Sequence, residues 1–238
     1  MSGACGANVG DESGPDAVLW DMDGTLVDSE KLWTISLHDT ARWLGGTMSP
    51  AARDAVVGGD MARTLTTLFD DLGLPRDPAR MAAAERFIDA RTAELFAGGL
   101  PWRPGALEAL RLVDGLGWPT ALVTNTGRAL AEAALDSIGR EHFTVSVCAD
   151  EVPSGKPDPD PYLRAAELLG VAPARCLAVE DSPNGALAAE RAGAAVLVVP
   201  CDVPVPDGPG RVLRTSLVGL TRDDLQSSYA VARGERAA

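Results

Sequence analysis

Lysine is scarce in this 238-residue chain: Lys31 and Lys156 stand against nineteen arginines. Cysteine is nearly as sparse. Cys5, Cys148, Cys176 and Cys201 are scattered without a Cys-x-x-Cys pair. That argues against a zinc site or a disulfide framework and fits a reducing cytoplasm. No stretch reaches the ~18 apolar residues of a membrane span, so no membrane contact is expected. Positive charge is short as well, with a net charge of −13. A nucleic-acid partner is therefore not expected, because phosphate-backbone binding depends on clustered Lys and Arg. A small anionic substrate is still allowed, since it responds to the local field of a cleft. Residues 1–16 are polar and rich in Gly and Ser, with neither the charged start nor the apolar centre of a signal peptide. They read as a disordered leader.

Apolar residues make up 46% of the chain, ample for a sizeable core. Five short apolar runs read as buried parallel strands: Ala17–Trp20, Thr120–Val123, Val145–Cys148, Cys176–Val179 and Ala195–Val199. Helical spacing appears between most of them, over Pro104–Gly115, Ala129–Ile138, Tyr162–Leu169 and from Ser182-Pro183 to Ala192. Asp160-Pro161 is a good cap and first-turn pair for the third of these. The alternation predicts an α/β fold, a Rossmann-like open parallel sheet covered on both faces. Residues 33–97 interrupt it with helical faces only: Trp33, Leu37, Ala41 and Leu44; Met61, Leu65, Leu68, Phe69 and Leu72; Met81, Ala84 and Ile88. They are expected to form an all-helical cap inserted in a core of 17–32 and 98–238. The tail after Pro200, rich in Pro, Gly and Asp, is expected to wrap the core loosely. Nothing in the cap demands a partner chain, so a monomer is expected.

The chemistry is concentrated at the ends of the apparent strands. The first delivers Asp21 and Asp23, then Gly24. Side chains at i and i+2 of an extended segment leave on the same side, so both carboxylates are expected to aim at one point. Two unit charges ~4 Å apart near a protein surface repel by about 4 kcal/mol. A divalent cation and a cationic side chain are expected to complete the site. A calcium loop of the EF-hand type does not fit, since its glycine falls at position six and a Glu at position twelve, where this chain has Leu32. Thr124 and Asn125 follow the second strand, Lys156 lies just past the third, and Glu180 and Asp181 end the fourth. In open parallel sheets ligands bind outside the carboxyl ends of the strands, which brings all four groups together. Taken singly, Thr-Asn is a turn, Glu-Asp-Ser-Pro a helix start and Lys156 a loop lysine. In this order behind Asp21-x-Asp23-Gly-Thr, their joint specificity is high.

The four motifs in this order, over roughly Ala17 to Pro200, resemble the haloacid dehalogenase superfamily of phosphotransferases. The helical insert sits where that family's first-type cap does. The run Asp21-Met22-Asp23-Gly24-Thr25-Leu26-Val27-Asp28-Ser29-Glu30-Lys31-Leu32-Trp33 most resembles its branch of sugar-phosphate phosphatases related to β-phosphoglucomutase. The resemblance implies Mg²⁺ held by Asp21, Asp181 and the backbone carbonyl of Asp23, with Glu180 as a partner through water. It implies Asp21 as nucleophile, giving an aspartyl-phosphate, and Asp23 as the acid and base. Thr124 and the Asn125 backbone N–H would bind phosphoryl oxygens, and Lys156 would bridge nucleophile and phosphate. In a chain that prefers Arg, a lysine at that place points to a compact charge rather than a planar fork.

Rival chemistries within the superfamily sort on single positions. Dehalogenases lack the second Asp, which Asp23 supplies here. Phosphonatases use a cap lysine, and only Lys31 lies at the cap edge. The mutases carry a histidine where this chain has Trp33, and His38, nearby in sequence, reads as structural. Hydrolysis of a small sugar or sugar-alcohol phosphate is therefore expected, with phosphoglycolate or a mutase reaction as alternatives. Candidate substrate contacts are Glu30, Trp33, Arg53, Gly58, Gly59 and Arg63. Arg53 and Arg63 read equally as grips on a second anionic or hydroxyl-rich end of the substrate and as solvated side chains. Trp33 reads as a plug at the seam or a platform for a sugar face.

Overall fold

The computed structural model describes residues 14–56, 61–201 and 203–234. Its centre is a six-stranded, wholly parallel sheet: β1 (Ala17–Trp20), β2 (Thr120–Val123), β3 (Val145–Val147), β4 (Cys176–Glu180), β5 (Ala195–Val198) and β6 (Arg211–Leu213). The strand order is β3-β2-β1-β4-β5-β6. Every residue of β1, β2, β4 and β5 is buried, as near-continuous apolar runs require when both faces are covered. The two-residue period sorts them. Val18, Trp20, Leu122, Leu177, Val179 and Leu197 pack on one side with α5 (Ala106–Leu116), α6 (Arg128–Ile138) and α9 (Arg222–Ala232). Leu19, Val123, Ala178 and Val196 pack on the other with α7 (Asp160–Leu169) and α8 (Pro183–Ala192).

From β1 the chain builds outward through β2 and β3, then returns to the other side of β1 for β4, β5 and β6. That reversal opens a crevice above the carboxyl ends of β1, β2 and β4, the place where doubly wound sheets bind ligands.

Between β1 and β2 the described chain is helical: α1 (Glu30–Trp43), α2 (Pro50–Val56), α3 (Met61–Asp71) and α4 (Pro78–Ala97), followed by α5. Leu37, Ala41, Leu68, Phe69, Ala84 and Ile88 close an apolar core of their own. The two ends of this insert lie side by side. The Asp28 N–H donates to the Pro101 carbonyl (2.8 Å) and the Arg103 N–H to that of Leu26 (2.8 Å). α4 begins on Asp77, whose side chain accepts the Arg80 N–H at 2.8 Å, with Pro78 in the first turn.

Several expectations are corrected. α1 starts at Glu30, three residues before the helical face expected from Trp33, and α2 was not anticipated. The cap residue of α7 is Pro159, and Asp160 lies in the first turn without a capping bond. The tail is not a loose wrap. β6 extends the sheet and α9 buries Leu225, Ser228 and Tyr229. Of the leader, residues 1–13 lie outside the described residues. Gly14 and Pro15 are buried, and Asp16 pairs with Arg175 at 2.6 Å, because an ion pair and a backbone bond to the Arg175 carbonyl (2.7 Å) tie it to the core.

Candidate active site

Asp21 stands one residue beyond β1 and is 7% exposed. Its N–H donates to the Val179 carbonyl (3.0 Å), which fixes it beside the end of β4. One carboxylate oxygen, Oδ1, accepts from Lys156 Nζ at 2.6 Å. The other, Oδ2, is buried and has no hydrogen-bond partner. Burial, together with Glu180, pushes the Asp21 carboxyl up to about 7 although Lys156 pulls the other way. A buried carboxylate oxygen without a donor is a costly arrangement in a finished protein interior. It fits a site meant to receive a cation.

Asp21, Glu180 and Asp181 form an acidic cluster whose ligand atoms lie within 4.8 Å of one another. Asp181 is held by the Thr25 hydroxyl at 3.2 Å, and burial followed by Asp21 and Glu180 drives its carboxyl well above the usual range. Gly24 makes the approach possible. Its φ is +88°, and a Cβ there would lie 2.2 Å from Asp181 Oδ2. Hard carboxylate oxygens in this number suit an ion such as Mg²⁺.

Lys156 is buried, and all three of its N–H donors are engaged: Asp21 Oδ1 (2.6 Å), Glu180 Oε1 (2.6 Å) and the Val123 carbonyl (2.8 Å). Burial opposes its charge, but the two carboxylates override it and hold the ammonium above its ordinary range. Glu180, at the end of β4, has both oxygens occupied. Tyr162 OH donates to Oε1 (2.7 Å), while the N–H groups of Asp181 and Ser182 and the Ser182 hydroxyl reach Oε2. Gly185 lets Glu180 pass, for a Cβ there would lie 1.8 Å from Oε1.

Asp23 points elsewhere. Its Oδ1 accepts from the Ser29 hydroxyl and from Trp33 Nε1 (3.3 Å); its Oδ2 accepts from Thr126 (2.7 Å) and Thr124 (3.3 Å). The expectation that Asp21 and Asp23 converge on one cation is thus corrected. The carboxylate opposite Asp21 is that of Asp181, because the turn at Gly24 carries Asp23 into a nest of hydroxyls. Trp33 is likewise neither free platform nor simple plug. Its indole N–H meets Asp23 while its ring stands edge-on to Phe96, centroids 6.2 Å apart. The Asn125 side chain clamps the lysine loop, accepting the Lys156 N–H (2.8 Å) and donating to the Lys156 carbonyl (3.0 Å).

These groups open into a cavity of about 920 Å³, walled on one side by the strand ends and on the other by the helical insert. Asp21, Asp23, Thr124, Asn125, Lys156 and Asp181 line it, as do Glu30, Trp33 and Arg53. Arg53 reaches the Thr34 hydroxyl (2.6 Å) and Glu30 (3.4 Å). Arg63 is exposed on α3 and does not line the cavity, because it falls on the outer face of that helix. Gly58 and Gly59 lie outside the described residues. Lys31 is exposed and paired with Asp28 at 2.8 Å.

Sequence reasoning missed Thr25, Ser29, Thr126 and Tyr162. Thr126 carried a signal, standing at the same i, i+2 spacing after Thr124 that links the two aspartates. Tyr162 carried none, since a tyrosine on the buried face of a helix reads as core.

A parallel sheet whose switch point presents carboxylates around a locked ammonium defines a class of site built to hold a cation and an anion together. Comparison with known proteins makes the assignment specific. The sequence profile of the haloacid dehalogenase-like hydrolases matches residues 15–193, and the chain belongs to that family. Similar proteins include hexitol phosphatase A of Escherichia coli K12, 36% identical over 78% of this chain and 84% of the relative. Hexitol phosphatase B of the same strain is 34% identical over 88% and 96%. The crystal structure of CbbY from Rhodobacter sphaeroides, in complex with phosphate, superposes with a TM-score of 0.79 at 29% identity, covering 89% of this chain and 99% of that one.

Proposed function

We propose that this chain is a Mg²⁺-dependent phosphatase that hydrolyses a small phosphate monoester, a sugar or sugar-alcohol phosphate, through an aspartyl-phosphate on Asp21. The observation that carries the reading is Asp21 itself, one oxygen held by Lys156 and the other unpartnered beside Asp181. Two hexitol phosphatases among the similar proteins and a phosphate-bound structure of the same fold support it.

Asp21, Asp181 and the Asp23 carbonyl would hold the ion, which when bound offsets the repulsion between a carboxylate and a phosphate dianion. The remaining chemistry belongs to the chain. Asp21 forms a bond to phosphorus as the ester oxygen leaves, and Asp23 gives that oxygen its proton. Water then attacks the acyl phosphate and loses its proton to Asp23, which frees inorganic phosphate and restores the Asp21 carboxylate. Lys156 fixes the attacking carboxylate and faces the phosphoryl group with positive charge; Glu180 and Tyr162 keep the lysine in place. Thr124 and the Asn125 backbone offer donors to phosphoryl oxygens. Residues 33–97 serve as a cap that excludes bulk water and reads the rest of the substrate.

The test is release of inorganic phosphate from p-nitrophenyl phosphate and from a hexitol monophosphate, with Mg²⁺ and with chelator. Mg²⁺-dependent release that Asp21→Asn abolishes is expected. Interconversion of phosphoglucose isomers without release would overturn the reading in favour of a mutase.

A further inference from the structure

Part of the cleft wall gathers acidic side chains. Asp89, on α4, lines the cavity with Glu85 one turn earlier on the same helix and Asp150 from the segment after β3. Among the described residues no hydrogen-bond donor or cation reaches the Asp89 carboxylate, whereas Asp150 takes the Arg128 N–H at 2.9 Å. Partial burial, with Glu85 and Asp150 nearby, keeps the Asp89 carboxyl above its ordinary range. Among the described residues, the cations that line the cavity are Lys156 and Arg53, and both already have partners. Lys156 has all three donors engaged, and Arg53 is bound to Thr34 and Glu30. The same cavity holds the unpartnered Asp21 Oδ2, which marks it as a place where something binds.

A second anionic group on the substrate would meet like charge here with no cation to answer it, a penalty that discriminates between partners. A hydroxyl group would instead supply the donor that Asp89 lacks. Resting on the phosphatase reading above, we propose that Asp89 is a specificity-determining residue. It selects phosphate esters whose far end is neutral and hydroxyl-rich, and rejects bisphosphates and phospho-carboxylates such as phosphoglycolate.

The experiment compares kcat/KM for a hexitol monophosphate, a hexose bisphosphate and phosphoglycolate, at low and high salt, in the full chain and in Asp89→Asn and Asp89→Glu. The unmodified enzyme should favour the hexitol monophosphate by about tenfold or more, the scale expected of one facing like charge. Asp89→Asn should narrow the ratio, mainly through KM for the anionic substrates, and Asp89→Glu should retain it. Because screening acts on charge, high salt should shrink the ratio for the unmodified enzyme and shrink it less in Asp89→Asn, where Glu85 and Asp150 remain. Equal ratios in the enzyme and Asp89→Asn would overturn the proposal, as would a salt-independent ratio in the unmodified enzyme, which needs no variant. Hydrolysis of p-nitrophenyl phosphate separates the two readings. If it is absent, the phosphatase assignment fails. If it proceeds while the three substrates are used alike, only the role of Asp89 fails.

Discussion

At the residue scale, Lys156 is a case where charge alone is insufficient. Its ammonium directs three donors at Asp21, Glu180 and a carbonyl that surround it in a buried space. A guanidinium presents its donors in a plane and is bulkier. Lys156→Arg is expected to cut kcat by about a hundredfold or more, as losing a positioned charge does in other sites. Phosphate release measured on a folded variant checks this, and near-normal turnover would remove Lys156 from the chemistry. Gly185 makes a complementary case. Since a Cβ there would stand 1.8 Å from Glu180 Oε1, Gly185→Ala must displace the carboxylate that steadies the lysine. A loss of about 1–3 kcal/mol of stability is expected from such overpacking, with a parallel fall in activity. Urea denaturation and the phosphate assay read the two effects separately.

At the element scale, α9 starts on a Thr221–Asp224 capping box, and burial ties it to the core. Leu225 is fully buried and packs with Tyr229 against the same apolar layer as Trp20 and Leu197. Leu225→Ala is expected to destabilise the chain by about 2–5 kcal/mol, the range for a buried leucine. A urea midpoint shifted by less than a surface substitution would show that the last helix is peripheral. At the other end of the scale, Asp77 caps α4 with a single side-chain bond. Asp77→Ala should cost about 1 kcal/mol. Because α4 carries Asp89 and packs against α6, the same variant tests whether loosening the insert raises KM more than it lowers kcat.

At the scale of the whole molecule, the acidic cluster links stability to pH and to metal. Asp21 has a carboxyl raised to about 7 against an ordinary 3.8. The folded chain therefore binds a proton that the unfolded chain has already released, and cation-free stability should fall as pH rises from about 4 toward 7. Adding Mg²⁺ should reverse that fall, since a ligand that binds only the native state stabilises it, by about 2.7 kcal/mol at a hundred times its Kd. Melting temperatures across this pH range, with chelator and with Mg²⁺, check both signs. A cation-free melting temperature that climbs steadily to neutral pH would contradict the environment of Asp21.

Much of this is legible in the sequence alone. Continuous apolar runs marked five strands to within a residue, because strands buried on both faces have no polar side to blur them. β6 escaped because Arg211-Val212-Leu213 is short, half-buried and set among Pro and Gly. Asp21, Lys156, Glu180 and Asp181 could be nominated because each lies at or beyond the carboxyl end of a strand, and strand ends on a parallel sheet gather at one edge. The chain by itself thus determined the sheet, its helical cover and which groups share that edge, since these depend on periodicity and on the order of short motifs. Only tertiary structure decided which carboxylate faces which. The turn at Gly24 sends Asp23 to the hydroxyls of Ser29 and Thr126, Asp181 takes its place opposite Asp21, and α4 brings Asp89 into a cleft more than sixty residues of chain away from β1. Side-chain direction after a turn and contacts across long chain separations follow from three-dimensional packing, which no local pattern encodes.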